Sequence, residues 1–196
     1  MPDTIYRLNK LVLVTAPTVE PVSTADMRTH LRITQTADND YIDTLVKAAR
    51  EACEEYQFRR LINSTWDWKL DSFPGVTGEL CVPYPPLSSV TSITYTDTAG
   101  DSQTFSSGDY TVDTTSEPGR IVPAYGDVWP TPRSHINVVT VRYVAGYGSA
   151  ATSLPAATVH GIKKLAAFWY ERRDLFGTIP DEVYRIWDTH RLARLF

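Results

Sequence analysis

The spacing of apolar residues changes twice along this chain, and that double change limits the fold more than any other feature. From about residue 39 to 62 apolar side chains recur every three or four positions. At Thr65 the spacing drops to two, and after Leu154 it returns to the helical period. A strand-rich block therefore stands between two helical segments, each with an apolar stripe to bury. The expected fold class is α+β: a small helical bundle from the N- and C-terminal helices with an inserted antiparallel β-rich block. The expected division is an arm over 1–22, the bundle over 23–63 and 154–196, and the β-rich subdomain over 64–153.

Individual elements follow from local chemistry. Pro17 and Pro21 punctuate an irregular start in which Leu11 to Val14 is poised to dock as a short extended piece. Ser23 or Thr24 caps a short helix, with Asp26 in its first turn and Met27 and Leu31 on one face. In the helix predicted for 39–62, Ile42, Leu45, Val46, Ala49, Cys53 and Tyr56 form the buried stripe. Asp43, Lys47, Arg50, Glu54 and Arg60 read as its solvent face, with Glu54 and Glu55 as ordinary solvated surface.

The β block opens with Trp66, Trp68 and Leu70 alternating with Asp67, Lys69 and Asp71. Val90 to Tyr95 and Ile136 to Val144 read as strands, and Asp97 to Asp101 as a hairpin loop. A third helix is predicted from Leu154-Pro155 to about Phe176, with Val159, Ile162, Leu165, Ala166, Trp169 and Tyr170 inward and Gly177 as its cap. Pro180-Asp181-Glu182 opens a last helix with Val183, Ile186, Trp187 and His190 on one side.

No catalytic pattern competes with an assembly role. The four histidines have no partner at metal-ligand spacing, and neither a paired C-x-x-C nor a phosphate-cradling glycine loop is present. Asp38, Asp40 and Asp43 lack the glycine and closing glutamate of a calcium loop and read as helix capping. No catalytic, cofactor or metal residue is expected. Cys53 and Cys81 read as two reduced thiols. A formal net charge of -4 argues against general nucleic-acid binding. Met1 to Asn9 is polar, and the apolar run after it is too short for a secretory signal or a membrane span, so a cytoplasmic product is expected.

Eleven tyrosines and five tryptophans suit a protein with large interfaces as well as a packed core. The sharpest case is the tail, where Trp187, Arg191, Arg194, Leu195 and Phe196 either fold back on the body or enter a partner.

The order of segments also resembles a known family. "LVTAPTVEPVSTADMRTHLRI" leads into "DNDYIDTLVKAAREACEEYQFRRLI", then "TWDWKLDSFP", "VPYPPLSSVTSITYTDTAG", "YTVDTTSEPGRI" and "VTVRYVAGYG", and the chain resumes with "LPAATVHGIKKLAAFWYERR". This is similar to the head–tail connector (adaptor, or head-completion) proteins of long-tailed bacteriophages and gene-transfer particles, over about residues 11–173. The resemblance implies a non-enzymatic ring beneath the portal protein, twelve-fold to match it. Such a ring extends the channel through which genomic DNA passes without sequence specificity, and offers a surface to a stopper or tail-terminator protein. It places the protein in the virion neck after synthesis in the host cytoplasm. It also makes Trp187, Arg191, Arg194, Leu195 and Phe196 the candidate portal contacts, and removal of residues 181–196 should then spare a folded body. The alternatives are a stopper or tail-terminator role and, from a different class, an enzyme with an unrecognised carboxylate pair.

Overall fold

The computed structural model describes residues 10–192. They divide into two compact units: a β unit of residues 10–16 and 63–146, and a helical unit of residues 17–62 and 147–192. The α+β class and the inserted antiparallel block are as expected.

The helical unit is built on the stripes read from sequence. Ser23 caps α1 (Thr24–Leu31), its hydroxyl accepting from Asp26 N at 3.0 Å. In α2 (Asn39–Gln57), Ile42, Leu45, Val46, Ala49 and Cys53 are all buried. They pack in one core with Ile162, Leu165, Ala166 and Trp169 of α3 (Ala156–Glu171) and with Val183 and Trp187 of α4 (Asp181–Trp187).

Two helices stop earlier than predicted. α2 ends at Gln57 because Phe58 takes a left-handed φ of 54°, which turns the chain so that Leu61 N donates to the Glu54 carboxylate. α3 ends at Glu171, short of Phe176. A 3₁₀ turn over Arg173–Leu175 and a positive φ at Gly177 fold the chain back, and Trp169 Nε1 donates to Thr178 O at 2.7 Å.

The β unit holds two antiparallel sheets over one apolar core. The larger has the order β1-β2-β8-β4-β5, from β1 (Leu11–Thr15), β2 (Ser64–Leu70), β4 (Leu87–Thr96), β5 (Ser102–Phe105) and β8 (Val139–Ala145). The smaller has the order β3-β7-β6, from β3 (Leu80–Cys81), β6 (Tyr110–Asp113) and β7 (Arg120–Pro123). The alternation at Trp68 and Leu70 works as read: Trp68 faces Val141 and Leu70 faces Val139, all buried. Trp66, on the same face, is only half-buried.

Leu11 to Val14 docks as the extended piece expected within the arm, forming edge strand β1 against β2. Two segments differ from expectation. The last strand begins at Val139 rather than Ile136, since Asn137 takes a φ of 56° and donates its N–H to Asp71. β4 is longer than Val90 to Tyr95 and carries two bulges against β8.

The β unit also concentrates carboxylates with lowered pKa. Arg142 holds Asp67 through two hydrogen bonds, of 2.7 and 2.8 Å, and keeps its carboxyl below the usual range. Gln103 and the backbone amides of Asp101, Ala99 and Gly100 do the same for Asp97. Ser116, Thr115 and Arg120 do it for Asp113. These groups stay ionised longer in the native state than in the unfolded chain. Their contribution is present at neutral pH and is lost as pH falls below about 4, where the unfolded carboxyls take up protons first. A series of melting temperatures from pH 6 to pH 2.5 should therefore fall at its acid end. Asp67→Asn should start lower and fall less steeply.

Candidate assembly surface

The tail question raised by the sequence has a structural answer through Leu192. Pro180 is the N-cap of α4, with Asp181 and Glu182 in the first turn, where the helix dipole favours acids. Its Trp187 ring is fully buried. It lies so close to α3 that a Cβ at Gly161 would stand 2.3 Å from Trp187 Nε1.

Beyond Trp187 the chain runs along the C-terminal end of α2 and is tied to it repeatedly. Gln57 Nε2 donates to Trp187 O at 2.9 Å, Arg59 Nε donates to His190 O at 2.7 Å, and Leu192 N donates to Gln57 O at 3.2 Å. Tyr56 donates its hydroxyl to Asp188 at 2.5 Å, which raises the phenol above its ordinary pKa. The Arg191 guanidinium lies 4.4 Å over the Tyr56 ring, a cation–π contact at the surface.

The candidate contact residues thus separate. Trp187 is in the core. Arg191 is exposed, resting on Tyr56 beside Asp188. Arg194, Leu195 and Phe196 lie outside the described residues. What the structure brings together is a docked segment, 188–192, that presents Arg191 at the end of α2.

Sequence reasoning missed the polar cluster behind this segment. Arg50 and Glu54 were read as solvent-facing, yet both are buried. Arg50 bonds Glu20 at 2.7 Å and Glu54 at 3.1 Å, and Arg60 reaches Glu54 at 3.4 Å. Burial pushes the Glu54 carboxyl above its ordinary range against the pull of both arginines. An i, i+4 Arg–Glu pair looks the same in sequence whether solvated or covered; here the chain after Phe58 meets Glu54, and Glu20 from before α1 meets Arg50.

A second candidate surface is apolar. Val76, Tyr125 and Val128 are exposed on two loops of the β unit. Trp129 joins these loops, its N–H donating to Val76 O at 3.0 Å and its Nε1 to Gly78 O at 2.7 Å. Phe73 stacks on the same indole at 4.8 Å, so the tip is braced from beneath.

A groove of about 560 Å³ is lined by Val19, Glu20, Thr24, Asp43 and Lys47 among others. Its acids are already occupied: Glu20 pairs with Arg50, and Asp43 accepts from Thr24. Among the described residues no group of three His, Cys, Asp or Glu has the arrangement of a metal site, and no helix is long and apolar enough to cross a membrane. The Cys53 thiol is buried, and burial drives its pKa well above the ordinary range, unlike a reactive thiolate.

No protein-family profile matches the chain, and no curated protein does. Solved structures do. A chain in the neck of an empty gene transfer agent particle, computed with sixfold symmetry, matches with TM-score 0.77 and 23% identity, over 95% of this chain and 97% of that one. A chain in the virion of a native gene transfer agent particle gives 0.77 and 24%, with the same 95% and 97% coverage. One in the neck of a native particle, computed with twelvefold symmetry, gives 0.75 and 24%, again over 95% and 97%. The chain shares its fold, nearly end to end, with these proteins.

Proposed function

We propose that this chain is a structural protein of the neck of a phage-like particle, and within the neck a head–tail adaptor. The observation that carries the reading is the mutual coverage of 95% and 97% with a chain from a particle neck at TM-score 0.77. Both units and their chain order are matched, not a common submotif. The sequence resemblance to head–tail connectors supports the same assignment. Neck structures computed with sixfold and twelvefold symmetry support a subunit that repeats around an axis.

In this reading the adaptor forms a ring beneath the portal and passes the genome through its centre. It then offers its far side to a stopper or tail terminator. The work is mechanical and needs no catalysis. Arg191 and the residues after it, including Arg194, Leu195 and Phe196, are the proposed portal contacts. Trp187 anchors them, and an arginine-bearing segment suits an acidic portal rim.

The test is binding to the cognate portal, imaged by electron microscopy. Extra ring density under the portal is expected. Binding to tail proteins alone would move the assignment to a stopper or terminator. A chain ended after Leu192 should keep its melting temperature, because the ties through Leu192 N remain, and should bind the portal at least about tenfold more weakly, the loss of roughly 1.4 kcal/mol of contact. Undiminished binding would remove residues 193–196 from the contact.

A further inference from the structure

The helical unit carries two outward faces of opposite charge. α2 turns Asp40, Asp43, Glu51 and Glu55 to solvent with Lys47 among them, at helical spacing and opposite its buried stripe. α2 and α3 pack through their buried stripes, so the outward face of α3 points away from that of α2; there His160, Lys163 and Lys164 stand by His30 at the end of α1, whose last turns also carry Arg28 and Arg32. His30 registers these surroundings: burial, then Lys163, His160 and Lys164, hold its imidazole below the ordinary pKa.

Much of this charge is unspent. Lys164 is paired with Glu182 at 2.9 Å. Arg28, Arg32 and Lys163 form no ion pair among the described residues, and neither do Asp40 and Glu55. The basic face is also a local reversal. With its four Lys and Arg set aside, fifteen Lys and Arg remain in the chain against twenty-three Asp and Glu.

Faces of opposite sign on opposite sides of one unit suit a head-to-tail contact between copies; a twofold contact would oppose like charges. We propose that the α1–α3 basic face of one copy docks on the acidic α2 stripe of the next. This contact rests on the ring reading above and supplies its subunit-to-subunit recognition. DNA would satisfy the basic face alone and leave the acidic stripe without a role.

The experiment is a charge swap in the full chain. One variant carries Arg32→Glu and Lys163→Glu, which cancels the charge of the basic face; the other carries Asp40→Lys and Glu55→Lys, which turns the acidic stripe net positive. All four positions are clear of the buried cores, and equal melting temperatures will confirm folding. Self-association is read by sedimentation and by imaging on the portal. Each variant alone should associate at least about tenfold more weakly than the wild type, and the equimolar mixture, in which the second variant's basic face meets the first variant's acidic stripe, should recover part of that loss. Carbodiimide cross-linking of isotopically labelled with unlabelled wild-type chain should join Lys163 of one copy to Glu51 or Glu55 of another. Rings that form equally well from either variant overturn this interface and leave the ring reading intact. Weakened DNA retention by the first variant with unchanged assembly assigns the basic face to DNA and likewise overturns it. Absence of self-association in every species, on or off the portal, overturns both.

Discussion

Trp187→Ala should lower stability by about 3–5 kcal/mol, the range for truncating a fully buried aromatic ring. The indole fills the space over Gly161 and stands 6.2 Å from the Tyr56 ring, so its loss leaves a cavity between α3, α4 and the end of α2. The measurement is the denaturant midpoint of the purified chain. Trp187→Phe is the informative control. The buried Nε1–H of Trp187 has no hydrogen-bond partner, so exchanging indole for phenyl removes no bond and should cost much less. Gly161→Ala attacks the same contact from the other side by overpacking and should lose about 1–3 kcal/mol. An unchanged midpoint in Trp187→Ala would mean that α4 leaves the core in solution. The packing also revises the expected harmless removal of 181–196. With Val183 and Trp187 both fully buried, that truncation should destabilise the helical unit, whereas a cut after Leu192 should not.

Glu54→Ala should be nearly as damaging, at about 3 kcal/mol or more, for a different reason. It removes the buried carboxylate that Arg50 and Arg60 share, leaving Arg50 with Glu20 and the exposed Glu51 alone. Leu61 N also loses its acceptor, which loosens the turn that ends α2. Glu20 still pairs with Arg50 at 2.7 Å, which holds the cost toward the lower end of the range. Glu55→Ala, one position along and exposed, should fall within about 0.5 kcal/mol of the wild type. Comparing the two by thermal or denaturant unfolding separates a buried network from general helix charge; equal effects would place Glu54 at the surface.

What could be read from the sequence was whatever periodicity alone decides. Ile42, Leu45, Val46, Ala49 and Cys53 announce their helix face because a helix buries every third or fourth residue. Trp68 and Leu70 announce theirs because a strand alternates. Features decided by distant chain were not legible. Arg50 and Glu54 look like a surface pair until Glu20 and the turn after Phe58 meet them. Leu11 to Val14 reads as a piece poised to dock, but the edge of β2 that receives it does not. Trp187 was open between core and partner because its stripe is only two turns long and its counterpart, Gly161, has no side chain to signal a contact. Arg191 was picked out by composition, but its seat on Tyr56 depends on the fold.

The helical unit is made of two stretches of chain that meet where the β unit leaves and returns. Tyr147 N donates to Leu61 O at 2.9 Å, and Ile62 forms a parallel bridge with Gly148. Forming that junction from an unfolded chain means closing a loop of more than eighty residues, an entropic toll of about 4 kcal/mol by polymer scaling. A β unit that folds first, on contacts within itself, shortens that search by delivering both ends side by side. On that order, substitutions in the β core should slow the docking of α3 onto α2 in refolding.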